Sequence, residues 1–194
     1  MSQSVETVSL DDLLSGEPDR NTFESLRKVI HASRASYRMA EKRAGELKQS
    51  LEEKGKNDSS AQTLGMLLTA MGLYKGAFDV LSTLKPSADI RYFAGLALVR
   101  LGRYEEAIKM LSGGPAGDRD ARMLLAETYI ITGQSDEADK VMKEMDLNTE
   151  ETADGCYLLG RLAEAAGEYE RAIELFQKAA QLNPEHLSAL FRLA

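Results

Sequence analysis

Apolar and small side chains recur along this chain at helical rather than strand spacing. The clearest run starts at Phe23 and continues through Leu26, Ile30, Ser33, Tyr37, Ala40, Ala44, Leu47 and Leu51, with gaps of three and four residues in alternation. That alternation is a heptad seam, which turns one stripe of a helix toward one neighbour. It predicts a long helix from Asn21 or Thr22, either of which can cap it, to Glu53, with Gly55 just past its end. A hairpin breaking near Gly45 is the alternative. The seam is weak in its middle, because Ser33, Ala40 and Ala44 bury little area. The helix therefore packs along the segments that follow it, pairs with a second copy, or binds a surface through its basic residues. Those residues surround the helix instead of forming one face with aromatics between them, which disfavours the last reading. Residues 1–19 have few apolar anchors and are expected to be flexible or to serve as a short linear motif, although Ser9 and Asp12 are spaced to cap a brief helical turn.

From residue 57 a different regularity takes over. A Gly or Ala is followed seven residues later by a Gly, and five after that by an Ala: Gly65–Gly72–Ala77, Gly95–Gly102–Ala107, Ala126–Gly133–Ala138 and Gly160–Gly167–Ala172. Two residues after each second Gly stands Tyr74, Tyr104, Ser135 or Tyr169. Four after each Ala stands Leu81, Leu111, Met142 or Phe176. The offsets inside the frame never change, whereas its repeat length runs 30, 31 and 34 residues. Variation is thus confined to the connections at residues 85–87, 112–117 and 145–152, as stacked helical hairpins require. The first small residue lets two helices approach closely. The Gly after it ends the first helix, where a positive φ is cheapest without a Cβ.

The stretch 160–184 carries the fullest set of these positions: Leu159-Gly160, Gly167, Tyr169, Ala172, Phe176, Ala179 and Pro184. It resembles the tetratricopeptide repeat family, departing from its pattern at Cys156 and Ala163. Pro184 fixes the helix exit, and Tyr169 and Phe176 are expected to fill the gap to the next hairpin. The resemblance implies an all-α fold, a right-handed α-solenoid of helix-turn-helix repeats over residues 57–194, preceded by the long basic helical segment 20–56. The array would hold four repeats and the first helix of a fifth, since Leu193-Ala194 falls where Leu159-Gly160 falls 34 residues earlier. A chain stopping there is expected to be part of a longer protein, unless residues 187–194 are themselves a cap.

Composition narrows the function. At 194 residues with 43% hydrophobic and 28% charged positions, no Trp and only 4 Pro, the chain suits a soluble helical protein. One cysteine excludes an internal disulfide and a multi-cysteine zinc site, in keeping with a reducing, cytoplasmic setting. No apolar run is long enough for membrane insertion, and the N-terminus lacks the pattern of a signal peptide. The Asn57-Asp58-Ser59 sequon therefore carries little meaning. Net charge is −7, yet residues 20–56 hold ten basic and five acidic side chains, so that segment is +5 and the remainder −12. An intramolecular or intersubunit role for the basic helix comes before nucleic acid. No catalytic, metal or cofactor constellation is present. His31 and His186 have no ligand-spaced partners, Cys156 reads as a small buried hydrophobe, and the glycines at 113–117 lack the ending of a phosphate loop.

Surface recognition remains. In the family this chain resembles, the first helix of each hairpin lines a concave groove. Its contact positions fall here in three rows: Gln62, Tyr92, Met123, Tyr157 and Phe191; Met66, Leu96, Glu127 and Arg161; Thr69, Val99, Ile130 and Glu164. These rows have Arg161 as their only base, short of the Lys, Arg and Asn set of a carboxylate clamp. They imply a protein or peptide partner, an amphipathic helix or apolar segment, contacting Tyr92, Leu96, Val99, Met123, Glu127, Ile130, Tyr157, Arg161, Glu164 and Phe191. The expected function is a non-catalytic interaction scaffold. The alternatives are the regulatory or substrate-recruiting arm of a larger enzyme, and a self-assembling structural unit. The 23–53 helix is expected to pack on the first one or two repeats, as an N-terminal cap or inside the groove.

Overall fold

The computed structural model describes residues 10–15, 20–54, 57–147 and 150–194. Every regular element among them is a helix. They belong to two compact units, Met1–Arg103 and Tyr104–Ala194. The first contains α1 (Leu10–Ser15), α2 (Arg20–Ala32), α3 (Arg34–Lys54), α4 (Asp58–Ala70), α5 (Tyr74–Leu81) and α6 (Ala88–Arg100). The second contains α7 (Tyr104–Ser112), α8 (Arg119–Ile131), α9 (Ser135–Glu144), α10 (Ala153–Ala165), α11 (Tyr169–Leu182) and α12 (Leu187–Leu193).

The repeat frame is borne out helix by helix. Gly72, Gly102, Gly133 and Gly167 all have positive φ, between 73° and 81°, and each follows the first helix of a predicted hairpin. Around them the last turn closes by a pair of backbone bonds. At the first, Gly72 N–H donates to Thr69 O at 3.1 Å and Leu73 N–H to Leu68 O at 2.9 Å, and the same pattern recurs at Gly167 and Glu168. These closures satisfy carbonyls that a helix end leaves orphaned, and they fix the direction of the next helix. Side-chain caps start the first helices: Asn57, Ser87, Asp118 and Thr152 each accept a backbone N–H of the first turn. Asn57, the sequon residue, thus has a local structural task.

Close approach accounts for Gly160. A Cβ there would lie 2.6 Å from Cε1 of Phe176, and one on Gly65 would lie 2.4 Å from Leu81. Phe176 therefore packs inside its own hairpin, over Gly160, instead of filling a gap to the next. Tyr169 fills no gap either. It opens α11 with 67% of its surface exposed.

The N-terminal region departs from expectation in three ways. The seam 23–51 is not one straight helix, nor a hairpin at Gly45, because the chain leaves helical geometry at Ser33. Ser33 Oγ accepts Ser36 N–H at 3.0 Å and so starts α3 afresh. Helix α2 also begins at Arg20, which puts Asn21 and Thr22 in its first turn instead of at its cap. And part of the segment expected to be flexible is helical: α1 packs on α2 and α3 and buries Leu10. The rest of residues 1–19, and Gly55, lie outside the described residues. The seam still does what its spacing asks, since Phe23, Leu26, Ile30, Ala40, Ala44 and Leu47 are buried.

Candidate partner-binding faces

Within the first unit, α4 and α6 pack side by side, and α2 lies on α4 and reaches α6 through Phe23 and Arg20. The stripe Phe23, Leu26 and Ile30 is at most 3% exposed. Full burial of side chains this size contributes about 1.5–3 kcal/mol each. The ring of Phe23 meets that of Phe93 at 5.0 Å between centroids. Arg20 pairs with Asp89, Nε to Oδ1 3.0 Å, while its guanidinium sits 4.5 Å above the ring of Tyr92. At the other end of α2, His31 Nε2–H donates to Ala70 O at 2.9 Å. Meanwhile α3 runs along α4, as a cap would, and Tyr37 Oη–H donates to Met71 O at 3.5 Å. Thus α2 lies on α4 and reaches α6, and α3 lies beside α4. Of the row residues, Met66 and Thr69 are buried, while Gln62, Tyr92, Leu96 and Val99 are half-buried.

In the second unit the corresponding face belongs to α8 and α10, with α12 beside α11. Here the row residues form a polar chain. Arg161 Nη1 donates to Tyr157 Oη at 3.4 Å, and Arg161 Nε lies 3.1 Å from Glu164 Oε2. Arg192 Nη1 then donates to Glu164 Oε1 at 3.1 Å. Burial pushes the Tyr157 hydroxyl above its ordinary range, and the Glu127 carboxylate on α8 pushes it further. Arg161 is only 9% exposed, but Glu164 pairs with its guanidinium. Tyr157 is 4% exposed, its ring held between His186 and Phe176, so it does not stand out of the face as a ladder rung. Ile130 is buried, Met123 and Glu127 are half-buried, and Phe191 is 79% exposed. Residues 104–194 contain eighteen acidic and nine basic side chains, net −9, whereas residues 1–103 are +2.

Sequence reasoning missed the partners of Asp154. Its carboxylate receives Arg119 Nη2 at 2.7 Å and has His186 Nε2 at 3.4 Å. The hydrogen bond to His186 holds its pKa below the usual carboxylate value, against the effect of burial, and Arg119 lowers it further. The other nitrogen of His186, Nδ1, accepts Ala189 N–H at 3.1 Å and caps α12. A signal for this arrangement was in the frame. An Asp stands six residues before the first small residue in three repeats, at Asp89, Asp120 and Asp154, and in two of them a Tyr follows three residues later. Both Asp–Tyr pairs grip a nitrogenous side chain, Arg20 in one unit and His186 in the other.

Among the described residues there is no cluster of metal-ligating groups, and no helix is long and apolar enough to cross a membrane. Cys156 is buried and its thiol raised, chiefly by burial.

Residues 153–186 match the tetratricopeptide repeat family, and residues 33–114 match the family described as anaphase-promoting complex, cyclosome, subunit 3. Among curated proteins, the human protein O-mannosyl-transferase TMTC1 is 29% identical over 128 residues, 64% of this chain. The chain spans 14% of that relative's length. Among solved structures, the crystal structure of YrrB, described as a TPR protein with an unusual peptide-binding site, superposes with a TM-score of 0.61. It covers 89% of this chain and 91% of its own at 21% identity, a likeness that shows the fold. With the invariant frame, the hairpins and their glycine closures, these matches make residues 153–186 a tetratricopeptide repeat and give the chain the fold of a tetratricopeptide-repeat protein.

Proposed function

We propose that the chain is a non-catalytic interaction scaffold and that its open partner face is the one formed by α8 and α10. The observation that carries this is what occupies each face: α2 seats Phe23 and Arg20 on α6, whereas the second unit presents half-buried Met123, Glu127 and Glu164 and, next to the Arg192 that pairs with Glu164, a 79%-exposed Phe191. A large exposed aromatic on the same unit as fixed charges suits an amphipathic peptide or helix, with apolar residues on Phe191 or Met123 and a polar one on Glu127. The description of YrrB as peptide-binding supports the same ligand class.

The test selects a binder from a displayed library of amphipathic helices. Its affinity is then measured for the unaltered chain and for a chain with Phe191→Ala and Glu127→Ala. Both residues lie outside the core, so circular dichroism and melting temperature stay the same while affinity falls at least about tenfold, the loss of one well-made contact. Equal affinity for both chains overturns the assignment.

The similarity to a part of a mannosyl-transferase favours a second reading, in which this array is the recruiting arm of a larger enzyme. Sizing the protein from its natural source by immunoblot tests it. A single species at 21.3 kDa overturns it.

A further inference from the structure

The bend at Ser33 interrupts a pattern that does not ask for one. The nine seam positions from Phe23 to Leu51 keep their 3–4 alternation straight through the joint, as in an unbroken helix. Sharp helix breaks have identifiable causes, such as proline, glycine pairs or inserted residues. Residues 31–36, HASRAS, contain no proline or glycine, and the local element that favours a break is the Ser33–Ser36 pair. One residue departs from helical geometry, and Tyr37 N–H still donates to Ser33 O at 3.1 Å. Two things hold the bend: the Ser33 cap on Ser36 N–H, and the seating of α2 on α4 and α6.

We propose that residues 20–54 also adopt one continuous helix and that, in this form, α2 of one copy seats on the α4–α6 face of a second copy, reciprocally. Straightening uncovers two surfaces at once, the Phe23–Leu26–Ile30 stripe and its seat around Tyr92 and Phe93. A foreign helix on the seat would leave the stripe in water. A second copy re-covers both, with the same Phe23–Phe93 and Arg20–Asp89–Tyr92 contacts. The difference between the closed monomer and the exchanged dimer then lies at Ser33, where a side-chain cap is traded for continued helical hydrogen bonds, and in protein concentration.

The test uses the full chain. Ser33→Ala removes the cap and raises helix propensity, so light scattering across a concentration series shows the dimer constant tightening by roughly tenfold or more. Inserting Gly-Gly after Ser33 makes the joint permanent and keeps the protein monomeric. In a Cys156→Ala background, chains with Arg20→Cys and chains with Asp89→Cys are mixed, incubated and treated with a short bis-maleimide. A covalent heterodimer forms, because α2 of one chain lies on the face of the other. If the Ser33→Ala chain stays monomeric at millimolar concentration, the proposal is overturned. A dimer that yields no Arg20→Cys/Asp89→Cys heterodimer overturns it equally, because its interface lies elsewhere.

Discussion

The face of α4 and α6 and the face of α8 and α10 are built on one frame and closed by opposite means. The first is finished from within the chain. An apolar stripe from α2 covers it, and Arg20 drops onto the Asp89–Tyr92 pair. The second carries ion pairs along it, with Arg161 and Arg192 both meeting Glu164, while Ile130, Tyr157 and Arg161 are themselves buried. Its Asp154–Tyr157 pair is filled by His186 from the neighbouring connection. Hairpin geometry therefore does not decide how such a face is covered. That depends on whether its row positions are apolar enough to retain a helix of the same chain.

The comparison breaks most readily at its apolar side. Phe23→Ala removes the ring buried against Phe93, and urea unfolding should register a loss of about 3–5 kcal/mol. Met123→Ala, at a half-buried position on the other face, should cost less than about 1.5 kcal/mol; equal losses would mean that the two faces are not closed differently. Next in size is Gly160→Val, which drives a side chain into Phe176. It should cost about 1–3 kcal/mol, while Gly45→Ala, with nothing within 4 Å of the new Cβ, serves as the neutral or mildly stabilising control in the same assay.

Acid sharpens the contrast. Because the hydrogen bond from His186 and the charge of Arg119 depress the pKa of Asp154, its ionised form is favoured by folding. Its contribution is complete above the unfolded carboxylate value near pH 4, and it disappears as pH falls through the lower folded value. The group is partly exposed, so about 1 kcal/mol is at stake. Asp154→Asn should remove this part of the acid sensitivity, seen as a flatter dependence of melting temperature on pH and faster amide exchange in α12. The smallest effect belongs to Glu127→Ala, expected within about 0.5 kcal/mol of unaltered stability by the same unfolding assay.

What could be read from residue order was whatever depends on local chemistry. A positive φ needs glycine whatever surrounds it, and a helix crossing needs a small residue at the contact, so Gly72, Gly133, Gly160 and Gly167 announced the hairpins. The stripe Phe23–Leu26–Ile30 was legible because burial follows spacing. The bend at Ser33 was not, since spacing across it is that of a straight helix and the cause lies in α4 and α6. Nor was the burial of Arg161, which depends on Glu164 turning back toward it, or the exposure of Tyr169, whose neighbours are set by the path of α11. His186 and Asp154 are 32 residues apart, and only the recurrence of Asp at one frame position hinted that they belong together.

The glycine closures also determine where this protein can carry cargo. Each turn inside a hairpin is three residues long with a left-handed glycine at its centre, as in Met71-Gly72-Leu73 and Thr132-Gly133-Gln134. A single residue added there breaks the paired hydrogen bonds that aim the following helix. The connection Gly113–Asp118, between α7 and α8, is exposed along most of its length and belongs to the class of segments whose length varies from repeat to repeat. An epitope or reporter peptide spliced into it will travel as a passenger, whereas the same insert beside Gly133 will cost the hairpin its shape.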